Sequence, residues 1–477
     1  MPKAYNLRNG LYLPSFEDMA TPLSVAVNSG SNFCGTHYSD PYQPVLGLYS
    51  TTGAALYNTL ADSWSALTSP AWPAFGVGNA LCWNPNGPTG TVSAASSNSI
   101  TTNYTALRNL VGYSIRILSG AGAGQERVIA TNTVSANSKI VVTVPWGVQP
   151  DATSTWVIRS GRFYALVAGT LAAGYFRYFD VASHTWTNLS ITGLPATWGT
   201  NGRMVAPCCS VFSTGAVTSA SSNTISASAK NYGVNQWTNH QVRILSGKGA
   251  GQIRTIASNT AQQLTVTVAW TDQPDSSSTF EIGGNEDYIY LSGNVSTTLY
   301  LYSISGNVWT TLSPLVARGL AFSTGSMLNL VDQETDPSWT GESNYINGSR
   351  IYSFHGGGTA GLFYYDLVAN TWWNDSAYSS SNAFSYAGRG AVFNLGTSTI
   401  QAGGKIYLDL NGTGVWYRFS PVKNLLEAYG IRVRSAGGLI DGTRAATFSK
   451  AADGTGVVFV YTQPTGSSSL YRFQVIP

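Results

Sequence analysis

The sequence predicts an all-β protein, a six-bladed β-propeller that carries two homologous inserted β-modules. Six aromatic-rich segments recur along the chain and each ends in a polar residue, followed in five of them by a bulky apolar residue six positions later. Within each unit, alternating aromatic and β-branched runs bounded by Gly, Asn and Ser indicate four short antiparallel strands. Four strands per repeat is the content of a propeller blade. The pairs are Asn58/Trp64, Asp180/Trp186, Ser303/Trp309, Asp366/Trp372 and Ser420/Leu426, and the sixth polar residue is Gln474.

The spacing of these pairs defines the domains. The first members are separated by 122, 123, 63, 54 and 54 residues, and the two long intervals contain residues 90–161 and 215–284, which are copies of each other. Without the copies, the intervals fall near a period of about 50 residues. We therefore predict a discontinuous propeller over 1–89, 162–214 and 285–477, with module A at 90–161 and module B at 215–284.

The repeats also carry a recognisable motif, with the clearest example in the fourth unit. Gly356-Gly357-Gly358 is followed there by Tyr364-Tyr365-Asp366 and then by Trp372-Trp373. This order resembles the kelch repeat, and outside the two insertions the chain is similar to kelch propellers. The resemblance implies a six-bladed kelch-like architecture and says little about function.

The last unit lacks its outer strand, because the spacing puts that strand beyond Pro477. The N-terminal stretch AYNLRNGLYLPSF has strand character. We predict that it pairs with the C-terminal YRFQVIP and closes the ring, which would remove exposed sheet edges.

The composition argues against several classes of partner. Charged residues make up 10% of the chain and the net charge is +3, whereas about 25% is typical. No basic run is present, so we expect no nucleic-acid partner. No apolar run reaches about 20 residues, so we expect no membrane insertion.

The chain start and the cysteines bear on the compartment. The N-terminus lacks an apolar core of about 7 to 15 residues, so we expect no signal peptide and synthesis in a host cytoplasm. Cys34, Cys82, Cys208 and Cys209 show no metal-ligand spacing. We expect reduced thiols and no cofactor.

The two copies repeat the phrase RILSGxGAGQxRxI. Its glycines suit a tight hairpin with several positive φ angles, and each copy should form a small β-barrel or sandwich. Both copies should leave the propeller between the first and second strands of consecutive blades and stand side by side on one face. The shared polar residues are Arg116, Gln125 and Arg127 in module A, and Arg243, Gln252 and Arg254 in module B.

This phrase resembles a small β-module of structural proteins from tailed bacteriophages. The resemblance implies, by analogy, that the modules contact neighbouring subunits or a host surface. In a second interpretation, the shared arginines and glutamines brace their own hairpins through hydrogen bonds to turn carbonyls. Both interpretations remain open at the level of the sequence.

The repeated tryptophans and the histidines are candidates for other roles. Trp64, Trp186, Trp309 and Trp372 occupy equivalent positions, which predicts packing between blades. Four other tryptophans do not occupy equivalent positions, so we expect them to be less constrained by blade packing and more readily exposed. Exposed rings could stack on sugars. These residues are Trp83, Trp198, Trp339 and Trp373. The four histidines are His37, His184, His240 and His355, and they lie at unlike positions. We expect His184 to be a solvent-exposed turn residue, whereas His355 could face the central channel.

Known propeller enzymes require residue sets that this sequence lacks. The repeated turns of a sialidase are absent. A copper oxidase needs two His, two Tyr and one Cys that converge at the propeller axis, whereas the four histidines here lie at unlike positions in the repeats. The acidic cluster Asp332, Glu334, Asp336 and Glu342 lacks the glycine and alternation of a calcium loop, so we expect a solvated loop and no metal. No catalytic residue is predicted.

The sequence thus favours a non-enzymatic structural component of a tailed-phage virion, located in the tail, neck or capsid region. Expected partners are other virion proteins and copies of itself in a symmetric ring, with a host surface glycan as a further candidate. The alternatives are a carbohydrate-binding adhesin and, third, a propeller enzyme. Exposed aromatic shelves would favour sugar binding, whereas titratable groups converging in the channel would favour catalysis.

Overall fold

The computed structural model is all-β, and no α-helix occurs in the residues that it describes. Strand propensity explains this class, since the aromatic and β-branched runs suit a pleated surface. The longer described stretches are 79–106, 108–199, 202–207, 211–293 and 296–314. The shorter ones are 16–18, 32–35, 42, 44–49, 53–58, 63–68, 72–73, 327–330, 350–354, 362–367, 369–375, 393–394, 406–409, 415–420, 425–432, 448–450, 456–462 and 469–475.

The described residues outside the modules form six four-stranded antiparallel sheets, here called sheet one to sheet six in chain order. Sheet one contains Asn32–Gly35, Val45–Tyr49, Gly53–Asn58 and Ser63–Ala66. Sheet two contains Ala80–Asn84, Arg162–Leu166, Phe176–Asp180 and Thr185–Asn188. Sheet three contains Arg203–Val205, Tyr288–Ser292, Leu299–Ser303 and Val308–Leu312.

The remaining three sheets follow in the last third of the chain. Sheet four contains Met327–Leu330, Arg350–Phe354, Leu362–Asp366 and Thr371–Asp375. Sheet five contains Phe393–Asn394, Ile406–Asp409, Val415–Ser420 and Leu425–Arg432. Sheet six contains Phe448–Lys450, Gly456–Thr462, Ser469–Val475 and Phe16–Asp18.

The strand from the start of the chain is the outer strand of sheet six. Phe16 lies opposite Phe473 and Asp18 lies opposite Tyr471 in an antiparallel pair. Residues 4–15 of the stretch predicted to pair here lie outside the described residues. A separate ladder joins Gly169–Thr170 to Thr197–Trp198 beside sheet two.

The six-residue spacing of the sequence arises from a tight turn between the third and fourth strands of a sheet. In sheets two, three and four, the fourth residue after the polar one has a positive φ: 56° for His184, 49° for Asn307 and 51° for Asn370. Asn tolerates this left-handed region better than most residues. The turn brings each tryptophan directly opposite an aromatic residue of the third strand, as in the Tyr302/Trp309 pair.

The repeated tryptophans pack on these cross-strand aromatic partners and on neighbouring sheets. Ring centroids lie 4.9 to 5.2 Å apart in the four pairs. Trp309 is buried and also lies 5.0 Å from Phe176 of sheet two. Trp186 meets Trp72 edge to face at 4.9 Å. The pairs are Tyr57/Trp64, Phe179/Trp186, Tyr302/Trp309 and Tyr365/Trp372.

Sheet two is covered on both faces by apolar side chains that alternate along its strands, as the period of a strand requires. Phe163 belongs to a core shared with Leu46 of sheet one. Its neighbour Tyr164 belongs to a second core shared with Ile289 and Tyr302 of sheet three. Sheets one, two and three are therefore stacked face to face.

Module A folds into a closed six-stranded barrel. A closed barrel leaves no free sheet edge, and the hairpin predicted by the repeated glycines joins its third and fourth strands. The strands are Thr89–Ser96, Ser99–Thr102, Ser114–Ser119, Glu126–Asn132, Lys139–Val142 and Thr155–Ile158.

Module B repeats this strand order as a seven-stranded sheet, because its first strand is divided into two. The modules connect the first and second strands of sheets two and three, respectively. The strands of module B are Val211–Ala216, Ser219–Ala220, Thr224–Ser226, Gln241–Ser246, Ile253–Asn259, Gln263–Val266 and Thr279–Gly283.

Candidate functional site: the junction between the modules

The repeated hairpin of module A is held by the side chain of Gln125. Its Nε2 donates to the carbonyls of Gly122 and Val148 at 3.1 and 2.6 Å, and its Oε1 accepts from the Gly147 amide at 2.6 Å. Arg127 donates to the Pro145 carbonyl at 3.2 Å and to the Glu126 carbonyl at 2.9 Å. These bonds satisfy main-chain groups that the turn leaves without ladder partners.

Module B repeats these contacts at the equivalent positions. Gln252 Nε2 donates to the carbonyls of Gly249 and Asp272 at 3.1 and 2.6 Å, and its Oε1 accepts from the Thr271 amide at 2.8 Å. Arg254 donates to the Ala269 carbonyl at 3.1 Å and its guanidinium lies 5.6 Å from the Trp270 ring. Four of the six shared polar residues therefore brace their own hairpins.

The two hairpins lie against each other at their last glycines. A Cβ atom on Gly124 would stand 2.5 Å from the Gln252 Cα, and one on Gly251 would stand 2.5 Å from the Gly124 carbonyl oxygen. Both glycines have positive φ, 91° and 92°. Glycine is thus required here twice over, by the backbone conformation and by the close approach of the other module.

The other two shared residues, Arg116 and Arg243, enter a row of charges at this junction. Arg116 Nη2 lies 2.9 Å from a carboxylate oxygen of Glu126 and its Nη1 lies 3.0 Å from one of Glu286. Arg243 lies 3.5 Å from Glu126 and 3.8 Å from Glu281. Opposite charges therefore alternate across the contact between the modules.

Arg159 ends the row at the base of module A. Its guanidinium bonds both carboxylate oxygens of Glu286 at 2.8 Å, a bidentate geometry that adds directionality to the ion pair. Asn86 accepts a hydrogen bond from Arg159 and donates to Glu286 at 3.3 Å. Glu286 follows module B, so this end of the row connects both modules to sheets two and three.

Burial and the arginines act in opposite directions on the carboxylates. Burial of Glu286 opposes its charge, but Arg116 and Arg159 outweigh this effect and lower its pKa to about 2. Glu126 is half-buried, which opposes its charge, but Arg116, Arg159 and Arg243 hold its pKa well below the usual range. Burial raises the pKa of Glu281, although Arg243 opposes the rise.

A cleft of about 210 Å³ opens beside the row. Leu118 and Ile253 contribute apolar surface, and Gln241, Arg254 and Asp287 contribute polar groups. Arg254 donates its hydrogen bonds within its own hairpin, and Asp287 accepts hydrogen bonds from Ser303 and Ser305. The cleft therefore presents mainly groups that already have partners.

The sequence did not single out the carboxylates of the row or Arg159. Their signal lies in the positions at which the two modules differ. Module A has Glu126 where module B has Ile253, and module B has Glu281 where module A has Val157.

Two expectations about exposure are wrong. Trp83 and Trp198 are buried: Gly161 lies directly against the Trp83 indole, and Trp198 packs edge to face on Tyr300 at 5.9 Å. His184 occupies the predicted turn, but it is half-buried against Phe179 at 5.3 Å, and burial lowers its pKa to about 4. Trp373 is 50% exposed, in agreement with expectation.

The remaining candidates are only partly described. Cys34 is half-buried and Cys82 is buried, and burial raises the pKa of the Cys34 thiol to about 12. Within the described stretches, no group of His, Cys, Asp and Glu has a metal-binding arrangement, and no helix is long and apolar enough to cross a membrane. The candidates that lie outside the described residues are His37, Cys208, Cys209, Asp332, Glu334, Asp336, Trp339, Glu342 and His355.

No family model matches the chain, and no curated protein matches its sequence. Among solved structures, it is similar to AofleA from Arthrobotrys oligospora, at 9% identity over 98% of this chain and 89% of that one, with a TM-score of 0.37. A mitotic checkpoint complex matches at 10% identity, 100% and 95% coverage and a TM-score of 0.37. An auxiliary nutrient binding protein from Bacteroides thetaiotaomicron matches at 11% identity, 81% and 84% coverage and a TM-score of 0.22. Likenesses this distant carry no argument about function.

Proposed function

We propose that this chain is a non-enzymatic structural component of a tailed-phage virion, in which the two modules make contacts with neighbouring subunits. The observation that carries the proposal is how the shared polar residues are used. Gln125, Arg127 and their counterparts brace the hairpins, Arg243 reaches Glu126 of module A, and Arg116 reaches Glu286, just after module B. These contacts hold the two modules as one fixed unit that could present a surface to a neighbour, and the resemblance of the motif to phage structural modules supplies the biological setting.

The proposed scaffold is a six-bladed kelch-like propeller. Two features support it: sheets one, two and three are stacked face to face, and the first strands of sheets one to five approach one another in order. In a propeller, these first strands line the central axis. Pairing of Phe16–Asp18 with Ser469–Val475 would then close the ring between the chain ends.

Within the virion, we propose that the partners are other virion proteins and further copies of this chain in a symmetric ring. The surface that would contact these partners carries few charges. Only 10% of the residues are charged, and several of these form ion pairs within the junction. Depletion of charge is typical of the central part of protein interfaces.

The test is the location of the protein. Virions purified on a density gradient would be analysed by peptide mass spectrometry, with light scattering on the isolated chain in parallel. The proposal predicts peptides of this chain at a fixed ratio to the major capsid protein after stringent washing. A chain that is absent from particles and remains monomeric at high concentration would contradict it.

A second candidate function, binding of a surface glycan, is favoured by Trp373. Its half-exposed ring stacks on Tyr364 with an interplanar angle of 18°, and the Arg350 guanidinium covers Tyr364 at 4.0 Å. A rigid exposed indole is a surface on which a sugar ring can stack. A glycan array would test this with Trp373→Ala, and Val308→Ala on the fourth strand of sheet three is the control. Equal glycan signals from the two variants would argue against the site.

A further inference from the structure

The junction contains six charged side chains joined by successive contacts in which positive and negative groups alternate. In order they are Glu281, Arg243, Glu126, Arg116, Glu286 and Arg159. The side chain of Arg116, near the centre, is 4% exposed, and that of Arg243 is the most exposed at 36%. Each of the four inner charges touches an opposite charge on either side, so no single ion pair is isolated.

Most of this row does not follow from the duplication. Only Arg116 and Arg243 occupy matching positions in the two modules. Module B has Ile253 in place of Glu126, and module A has Val157 in place of Glu281. A second copy of module B in place of module A would lack Glu126 in the middle of the row, and a second copy of module A in place of module B would lack Glu281 at its end.

We propose that this row is a recognition element that selects module B as the partner of module A and fixes their relative orientation. The glycine contact alone is nearly the same for both modules and cannot distinguish them. The row adds the missing asymmetry, because each module contributes a carboxylate that the other lacks. Charge complementarity of this kind gives specificity and register rather than large net affinity.

The proposal can be tested by replacing a residue of one module with the residue at the matching position of the other module, which the same fold already accommodates. Glu126→Ile gives module A the residue of module B, and Glu281→Val gives module B the residue of module A. Thr255→Val, which likewise gives module B the residue of module A but lies outside the row, is the matched control. Spin labels on noncanonical residues at the exposed positions 144 and 268 would report the inter-module distance in the full chain.

The wild type and Thr255→Val should give one narrow distance distribution. Glu126→Ile should lose that single peak, and Glu281→Val should broaden it less, because Glu281 stands at the end of the row. Circular dichroism and the melting temperature of each variant would show that the modules remain folded. Narrow distributions in both row variants would overturn the proposal.

Exchanging the charges of Glu126 and Arg243 distinguishes a row of coupled charges from a single ion pair. Glu126→Arg combined with Arg243→Glu restores that one pair but puts a new guanidinium beside Arg116 and a new carboxylate beside Glu281. The row therefore predicts that the double variant is no better than the single ones. Recovery of the narrow peak by the double variant would refute the row and leave only a local ion pair.

Discussion

Module B should lose stability as the pH falls through the range in which histidine ionises, whereas module A should not. His240 is buried in module B, with its Nδ1 3.2 Å from the Thr238 carbonyl and its ring 5.4 Å from Trp237. Burial lowers its pKa from 6.5 to about 4. Module A has Tyr113 at the equivalent position, a phenol in place of the imidazole.

The magnitude follows from proton linkage. A histidine whose pKa is depressed by folding contributes its full stability above pH 6.5 and loses it as the pH falls towards 4, because the unfolded chain binds the proton more tightly. With about 1.4 kcal/mol for each factor of ten in proton affinity, the loss is about 2 kcal/mol at pH 5 and about 3 kcal/mol below pH 4.

Hydrogen exchange at pH 7 and pH 5, corrected for intrinsic rates, would measure this loss separately in each module. Strand Gln241–Ser246 of module B should lose protection, whereas the equivalent Ser114–Ser119 of module A should keep it. His184→Asn provides a suitable background, since His184 also has a lowered pKa and asparagine is found at the same turn in sheets three and four.

The decisive variant is His240→Tyr, which installs the residue of module A. It should abolish the difference between pH 7 and pH 5 in module B. A loss of protection that persists in this variant would refute the assignment to His240, and so would equal losses in the two modules of the wild type.

Three further predictions concern the junction and the turns. Gly124→Ala should destabilise the chain more than Gly112→Ala, because both have φ near 90° but only Gly124 faces the other module; equal melting temperatures would contradict the close contact. Glu286→Gln should lower the free energy of unfolding in urea by about 3 kcal/mol, because the buried Arg116 loses one of its carboxylate partners. A change below about 1 kcal/mol would show that this ion pair is solvated. Asn370→Ala should lower the free energy of unfolding by about 1 to 2 kcal/mol, because alanine at a positive φ is strained and lacks the side-chain hydrogen bond. Asn370→Gly should recover most of this loss. No recovery would mean that the hydrogen bond from Tyr365 to Asn370 dominates.

The sequence carried the local features well, because short-range rules determine them. The spacing from Ser303 to Trp309 reflects a turn with one left-handed residue, and the glycines of each hairpin reflect a run of positive φ angles. Both are encoded within a few consecutive positions. The all-β class and the order of strands in each unit followed from the same local patterns.

The charge row could not be predicted in this way. Glu126 and Glu286 are 160 positions apart and meet only because two insertions leave consecutive sheets and lean on each other. The burial of Trp83 depends likewise on Gly161, which is the last residue of module A and lies 78 positions later in the sequence. Contacts between residues far apart in the sequence therefore determine both the charge row and the burial of Trp83, which local sequence patterns did not predict.

Electron cryomicroscopy of the purified virion would test the proposed assembly directly. We expect several copies of this chain around a symmetry axis. Each copy should be a six-bladed ring whose modules A and B touch through Gly124 and Gly251 and lie at the boundary with a neighbouring subunit. Particles without this density, or copies whose modules lie apart and contact no neighbour, would contradict it.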